Sequence, residues 1–179
     1  RVVIGNALPK HTGGITNNFS FKGIDLSVFM NWSVGNQIYN MTNAVLTSLA
    51  DDFNQSRTVL SRWQKQGDIT KIPRAIYSTN SFQGVAFSDA MSRFIEDGSF
   101  LRIRNINLGY NLPSSLLSKA KISTLKVYVS AQNIFTFTNY SGFDPESQNT
   151  GGGLIPSLGV DYLTQPVPRV IMFGLNLGF

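Results

Sequence analysis

With one histidine, no cysteine and 10 carboxylates in 179 residues, this chain has few groups that could do chemistry. His11 stands alone, so a multi-histidine metal site has no second ligand, and a histidine-based triad would rest on one residue that reads as a loop polar group. Without cysteine there is no disulfide framework, thiolate metal site or sulfur nucleophile. Asp51-Asp52 and Asp144-Pro145-Glu146 offer oxygen ligands, but neither has the spacing of a calcium loop, and turn or capping roles account for both. Gly151-Gly152-Gly153 lacks the lysine and hydroxyl of a phosphate-cradling loop and lies between strands instead of opening a helix. The expectation is a protein with no catalytic constellation, no metal and no cofactor.

What remains are groups suited to contact. Arg57, Arg62 and Trp63 bring an aromatic face and hydrogen-bonding forks close together, which suits a sugar or a peptide and equally suits packing of a loop. Arg102 and Arg104 lie two apart on an apolar run. The net charge of +5 and pI near 9.6 come from Lys and Arg residues scattered singly, so nucleic acid is not an expected partner.

The elements that must position these groups are strands. Only 14% of residues are charged, where globular domains average about 25%, and 16 Gly and 13 Phe favour β-structure. No apolar run is long enough for a transmembrane helix, but a membrane strand shows only every second residue to lipid and gives a weaker signal. A strand pattern begins at Ile15, with Phe19 and Phe21 on one face and Thr16, Asn18, Ser20 and Lys22 on the other. After Gly23, Ile24, Leu26, Val28, Met30, Trp32 and Val34 share one face. A two-residue loop at Lys22-Gly23 would set Phe21 opposite Ile24 and Phe19 opposite Leu26.

A third strand region runs from about Phe94 to Leu112, where Leu101 and Ile103 have one parity and Ile106, Leu108 and Tyr110 the other. That slip predicts a β-bulge near Arg104-Asn105. A fourth strand carries Leu125, Val127, Val129, Ala131, Phe135 and Phe137 on one side, and is long enough to project beyond a bilayer. The last sets Ile171, Phe173, Leu175, Leu177 and Phe179 against Met172, Gly174, Asn176 and Gly178. Thr42 to Ala50 and Ser56 to Gln66 are helix-capable, and a helical turn is expected at Ser115 to Lys119. Connections alternate: short at Lys22-Gly23, long from Gly35 to about Ser92, short around Pro113 to Lys121, long from Asn139 to Pro168. Outer-membrane barrels sort their turns and loops in this way.

In order along the chain stand Ile4-Gly5-Asn6 with Pro9-Lys10, Thr12-Gly13-Gly14, FKGIDLSVF from Phe21 to Phe29, and Asn31-Trp32-Ser33 with Gly35-Asn36. Ile38-Tyr39-Asn40, Arg62-Trp63 and Ile72-Pro73-Arg74 follow, then FIEDGSFLRIRNINLGYNLP from Phe94, VYVSAQNIFTFTNYSGFDPE from Val127, and Pro168-Arg169. This series resembles the carboxy-terminal region of the TonB-linked outer-membrane transporters of the SusC/RagA type. The resemblance implies an all-β fold: about five carboxy-terminal strands of an antiparallel transmembrane β-barrel of about 22 strands, with long extracellular loops holding some helix.

It further implies a multi-pass barrel in the outer membrane of a Gram-negative bacterium, and nutrient uptake of a glycan or peptide substrate. The implied partners are the remainder of the barrel with its plug, the TonB complex acting through that plug, a SusD-like surface lipoprotein acting as a lid, and outer-membrane lipid. On this reading residues 1–179 lack the plug and the earlier strands, and both sheet edges must pair with the missing portion. Phe179 resembles the terminal aromatic signal for outer-membrane assembly and also suits a lipid-facing girdle. Because a charge on the lipid face costs ~2–4 kcal/mol near the midplane, Arg102 and Arg104 are expected at the lumen or rim, facing substrate or plug carboxylates. The competing reading is a soluble β-sandwich that binds carbohydrate through loop aromatics, its apolar faces buried between two sheets.

Overall fold

The computed structural model describes residues 2–49, 54–75, 81–82, 85–86, 91–117, 122–146 and 158–179. In chain order the elements are β1 (His11–Phe21), β2 (Ile24–Val34), β3 (Gln37–Asn40), α1 (Met41–Leu46), β4 (Ser81–Phe82), β5 (Val85–Ala86), β6 (Ile95–Asp97), β7 (Phe100–Asn111), α2 (Ser114–Leu117), β8 (Thr124–Thr138), β9 (Val160–Asp161) and β10 (Val170–Gly178), with 3-10 turns at Arg57–Ser61 and Ser92–Phe94. They fall into two compact units. A sheet unit comprises residues 9–35, 98–139 and 166–179; a loop unit comprises residues 1–8, 36–97 and 140–165.

The sheet unit is an antiparallel meander in the order β1-β2-β7-β8-β10. Lys22 and Gly23 both take positive φ (48° and 85°), the two-residue turn whose twist matches a hairpin. It sets Phe21 opposite Ile24 and Phe19 opposite Leu26, as the alternation predicts. β1 begins four residues earlier than the alternation shows, at His11, because Thr12, Gly13 and Gly14 pair despite carrying no apolar signal.

Register carries the apolar rows across the sheet. One row is Phe21, Ile24, Tyr110, Val127 and Leu175; the next is Phe19, Leu26, Leu108, Val129 and Phe173. These groups are not packed inside a sandwich: Phe173 is 83% exposed, and Phe19, Phe21, Phe135, Phe137, Ile171 and Leu175 are all exposed too. The other face carries Asn18, Ser27, Asn107, Ser130 and Met172, then Ser20, Asp25, Gly109, Tyr128 and Gly174. A cross-strand aromatic covers one thin place on each face: a Cβ on Gly174 would lie 2.3 Å from the Tyr128 ring, and one on Gly13 would lie 2.4 Å from Trp32.

The predicted bulge is present, and it has a partner. Between the same two rungs β2 advances two residues (Val28 to Met30), β7 three (Ile106 to Ile103), and β8 four (Ala131 to Phe135). Arg104 is the extra residue of β7, and Asn133, at φ 54°, lies within the extra stretch of β8. Such staggered insertions bend and twist a sheet locally.

The region read as one strand from Phe94 to Leu112 is two. Ile95–Asp97 pairs with β3 in the loop unit, and β7 starts at Phe100 in the sheet unit. In the loop unit β6, β3 and β9 form a small sheet, with β3 and β9 parallel. α1 is shorter than the helix-capable stretch: the Asn40 side chain accepts from the Asn43 amide to start it, and Thr47 closes it. The stretch from Ser56 yields only a 3-10 turn, Arg57–Ser61. Phe94, 1% exposed, packs with Ala44, Tyr39 and Met91 as the centre of this unit.

Candidate functional site

On the polar face of the sheet unit Asp25 is a hub. Ser20 donates to its Oδ1 at 2.8 Å, while Asn111 and Lys126 donate to its Oδ2 at 2.9 and 3.1 Å, so one carboxylate joins four strands. Gly109 permits this: the Lys126 chain crosses it so closely that an added Cβ would lie 2.6 Å from Cε. Both partners are more than a third exposed, so solvent screens the pair and its net contribution to stability is small. Beside them lies a cleft of about 350 Å³ lined by Asn18, Ser20, Asp25, Asn107, Lys126 and Tyr128, among others.

Arg102 also belongs to this face, pairing in register with Asn31 and Thr136. It is 2% exposed, donates Nε–H to Thr136 Oγ1 at 2.9 Å, and sits 5.7 Å from the centre of the Phe100 ring. Arg104 is half-buried and is skipped by the register of both neighbours. His11 is a strand residue and not a loop group. Its Nδ1 accepts from the Trp32 indole N–H at 2.9 Å, with the rings stacked 6.0 Å apart. Phe179 follows β10 and is almost fully exposed.

Arg57, Arg62 and Trp63 share one local turn of the loop unit. Arg57 opens the 3-10 turn and is exposed, the Arg62 amide closes it on Val59, and the Trp63 amide donates to the Ile72 carbonyl at 2.9 Å. Arg62 and Trp63 are half-buried. Asp144 forms the turn expected of it, accepting from the Glu146 amide at 2.9 Å. Asp51-Asp52 and Gly151-Gly152-Gly153 lie outside the described residues.

A second polar constellation among the described residues, unmarked by residue type or spacing in the sequence, lies in the loop unit. Glu96 accepts from the Ser141 amide and hydroxyl, both at 2.8 Å, and from the Asn40 amide group at 3.0 Å. Asp161 accepts from the Tyr140 hydroxyl at 2.5 Å and from the Thr164 hydroxyl. Asn40, Tyr140 and Asp161 are buried. Four of the five central members sit inside blocks that carry the resemblance (IYN, FIEDGSF, NYSGFDPE); Asp161 has no such signal.

Burial pushes the Tyr140 phenol far above its ordinary range, helped by the hydrogen bond to Asp161 and the negative charges of Asp161 and Glu96. A raised pKa means that stability from the neutral phenol is complete below about pH 10 and is lost only as pH climbs through the raised value. Tyr140→Phe therefore leaves the phenolate absorbance titration unchanged up to about pH 11. An extra ionisation in the parent protein below that pH would contradict the burial seen here.

No family model matches the sequence. Along its whole length the chain is 35% identical to TonB-dependent receptor P3 of Formosa agariphila, and 34% identical to TonB-dependent receptor P39 of the same organism, spanning 17% of each. It is 30% identical to TonB-dependent receptor SusC of Bacteroides thetaiotaomicron over 93% of the chain, which is 15% of SusC. Among solved structures, the RagAB peptide importer in its "closed-closed" state matches with a TM-score of 0.76 at 26% identity, covering 99% of this chain and 18% of that one. The "open-open" state matches at 0.70 and 27% identity, covering 96% and 17%. By name these relatives are TonB-dependent receptors and a peptide importer. A two-faced meander with alternating short and long connections, similar from end to end to such proteins, belongs to the SusC/RagA-type TonB-dependent receptors as a segment of their transmembrane β-barrel.

Proposed function

We propose that residues 1–179 form the carboxy-terminal barrel wall and extracellular connections of a TonB-dependent importer in a Gram-negative outer membrane. The observation that carries this is the exposed apolar face of the sheet, set against a polar face built around Asp25. An apolar face of this extent suits hydrocarbon, and the polar face suits a water-lined interior. Free edges on β1 and β10 suit pairing with further strands of the same barrel. The plug, the TonB complex and a SusD-like lid lipoprotein complete the proposed assembly.

Cargo is an oligosaccharide or an oligopeptide; similarity to a solved peptide importer supports the second class. Arg57, Arg62 and Trp63 are the candidate cargo contacts in the loop unit and Arg104 that of the barrel wall; Arg102, 2% exposed and bonded to Thr136, supports the wall instead of touching cargo, and Phe179 is the candidate assembly signal. The test is uptake of labelled oligopeptides and oligosaccharides by energised cells with and without the full-length receptor, alongside its co-purification from outer membranes. Receptor-dependent uptake of one class with a lipoprotein partner supports the reading. A water-soluble protein with no effect on uptake contradicts it.

A further inference from the structure

The two long connections, residues 35–99 and 139–169, contribute interleaved pieces to one unit, and polar side chains do the joining. Glu96 of the first connection takes two hydrogen bonds from Ser141 of the second, and Asn40 of the first donates to Ser141 Oγ at 3.2 Å as well as to Glu96. A second seam lies at Thr42, whose hydroxyl donates to the Asp161 carbonyl at 3.3 Å and accepts from the Leu163 amide at 2.7 Å. Between the seams β3 and β9 pair in parallel, and the Tyr39 amide donates to the Gly159 carbonyl at 2.7 Å. Leu163 is held at φ 52°, a conformation a leucine adopts only when its surroundings impose it.

Parting the two connections would strip donors from Glu96 and expose or orphan Asn40 and Asp161, each nearly inaccessible to water. An unpaired polar group in so dry a setting is costly, and bonds in one network reinforce each other, so the seams resist opening one at a time. We propose that Glu96 and Thr42 are staples that make the two long connections one mechanical body, so that they shift together or not at all.

Hydrogen exchange by mass spectrometry on the full-length receptor in its membrane tests this without any transport measurement. Glu96→Gln keeps the side-chain shape but turns one acceptor into a donor facing Ser141. The expected result is at least a tenfold rise in exchange at the Ser141 amide and also at the Tyr39 and Leu163 amides, which are bonded to Gly159 and Thr42 and not to Glu96, with β7 and β8 unchanged. Thr42→Val, nearly isosteric, is expected to produce the converse spread, from Leu163 to Ser141, and serves if Glu96→Gln fails to assemble. A rise confined to the amides beside each substituted residue would overturn the proposal.

Discussion

Phe173→Arg is expected to destabilise the assembled receptor by about 2–4 kcal/mol, the cost of a cation facing hydrocarbon near mid-strand. Phe173 is four residues into the nine of β10, lies in the row of Phe19, Leu26, Leu108 and Val129, and is 83% exposed. In water that exposure would make the substitution nearly neutral, within about 0.5 kcal/mol. Met172→Arg supplies the contrast, because Met172 sits among Ser130, Asn107 and Ser27 on the polar face and is expected to tolerate the charge. Denaturant unfolding of both variants in lipid vesicles measures the difference. Equal costs at positions 172 and 173 would mean that the two faces see the same solvent.

Phe94→Ala is expected to cost about 3–5 kcal/mol, and to spend it in the loop unit alone. The ring is 1% exposed, meets Tyr39 edge-on at 6.4 Å, packs on Ala44 and Met91, and has the Arg93 guanidinium 4.7 Å from its centre. The loop unit contains no other cluster of comparable burial among the described residues, so a void there has little else to lean on. Limited proteolysis of the membrane-assembled variant checks it. Cleavage is predicted within residues 36–97 and 140–165, with the strands of the sheet unit protected. Co-ordinate loss of β7 and β8 would contradict the division into two units.

Period-two alternation made the sheet readable. It placed the Lys22-Gly23 hairpin in register and marked the bulge in β7, because one extra residue inverts parity. The disturbance in β8 left no such mark. Two extra residues restore parity, so Ala131 and Phe135 remain in phase and only the left-handed Asn133 betrays the insertion. Likewise, the residues before β7 read as a continuation of it, since nothing in the alternation shows that Ile95–Asp97 pairs with β3 instead.

Contact residues were legible by type but not by setting. The alternation assigns Arg102 to the lumen or rim, but not its setting there: on the polar face the fold buries it against Phe100 and Thr136. The staple residues were harder still. Glu96, Ser141 and Asp161 are ordinary polar residues far apart in sequence, and the pairing of β3 with β6 on one side and β9 on the other brings the segments of Glu96 and Asp161 together. His11 read as a loop group because Gly13 and Gly14 erase the alternation around it.

The central claim is that one face of the sheet meets lipid and the other meets water. The 179 residues contain no cysteine, so in a vesicle-assembled receptor cleared of any cysteine elsewhere, Phe173→Cys and Asn107→Cys can each carry a single nitroxide. The label at 173 should be relaxed by oxygen and shielded from a water-soluble nickel chelate, and the label at 107 should respond to the chelate. A label at 173 that the chelate reaches freely, or that neither agent reaches, would contradict the account.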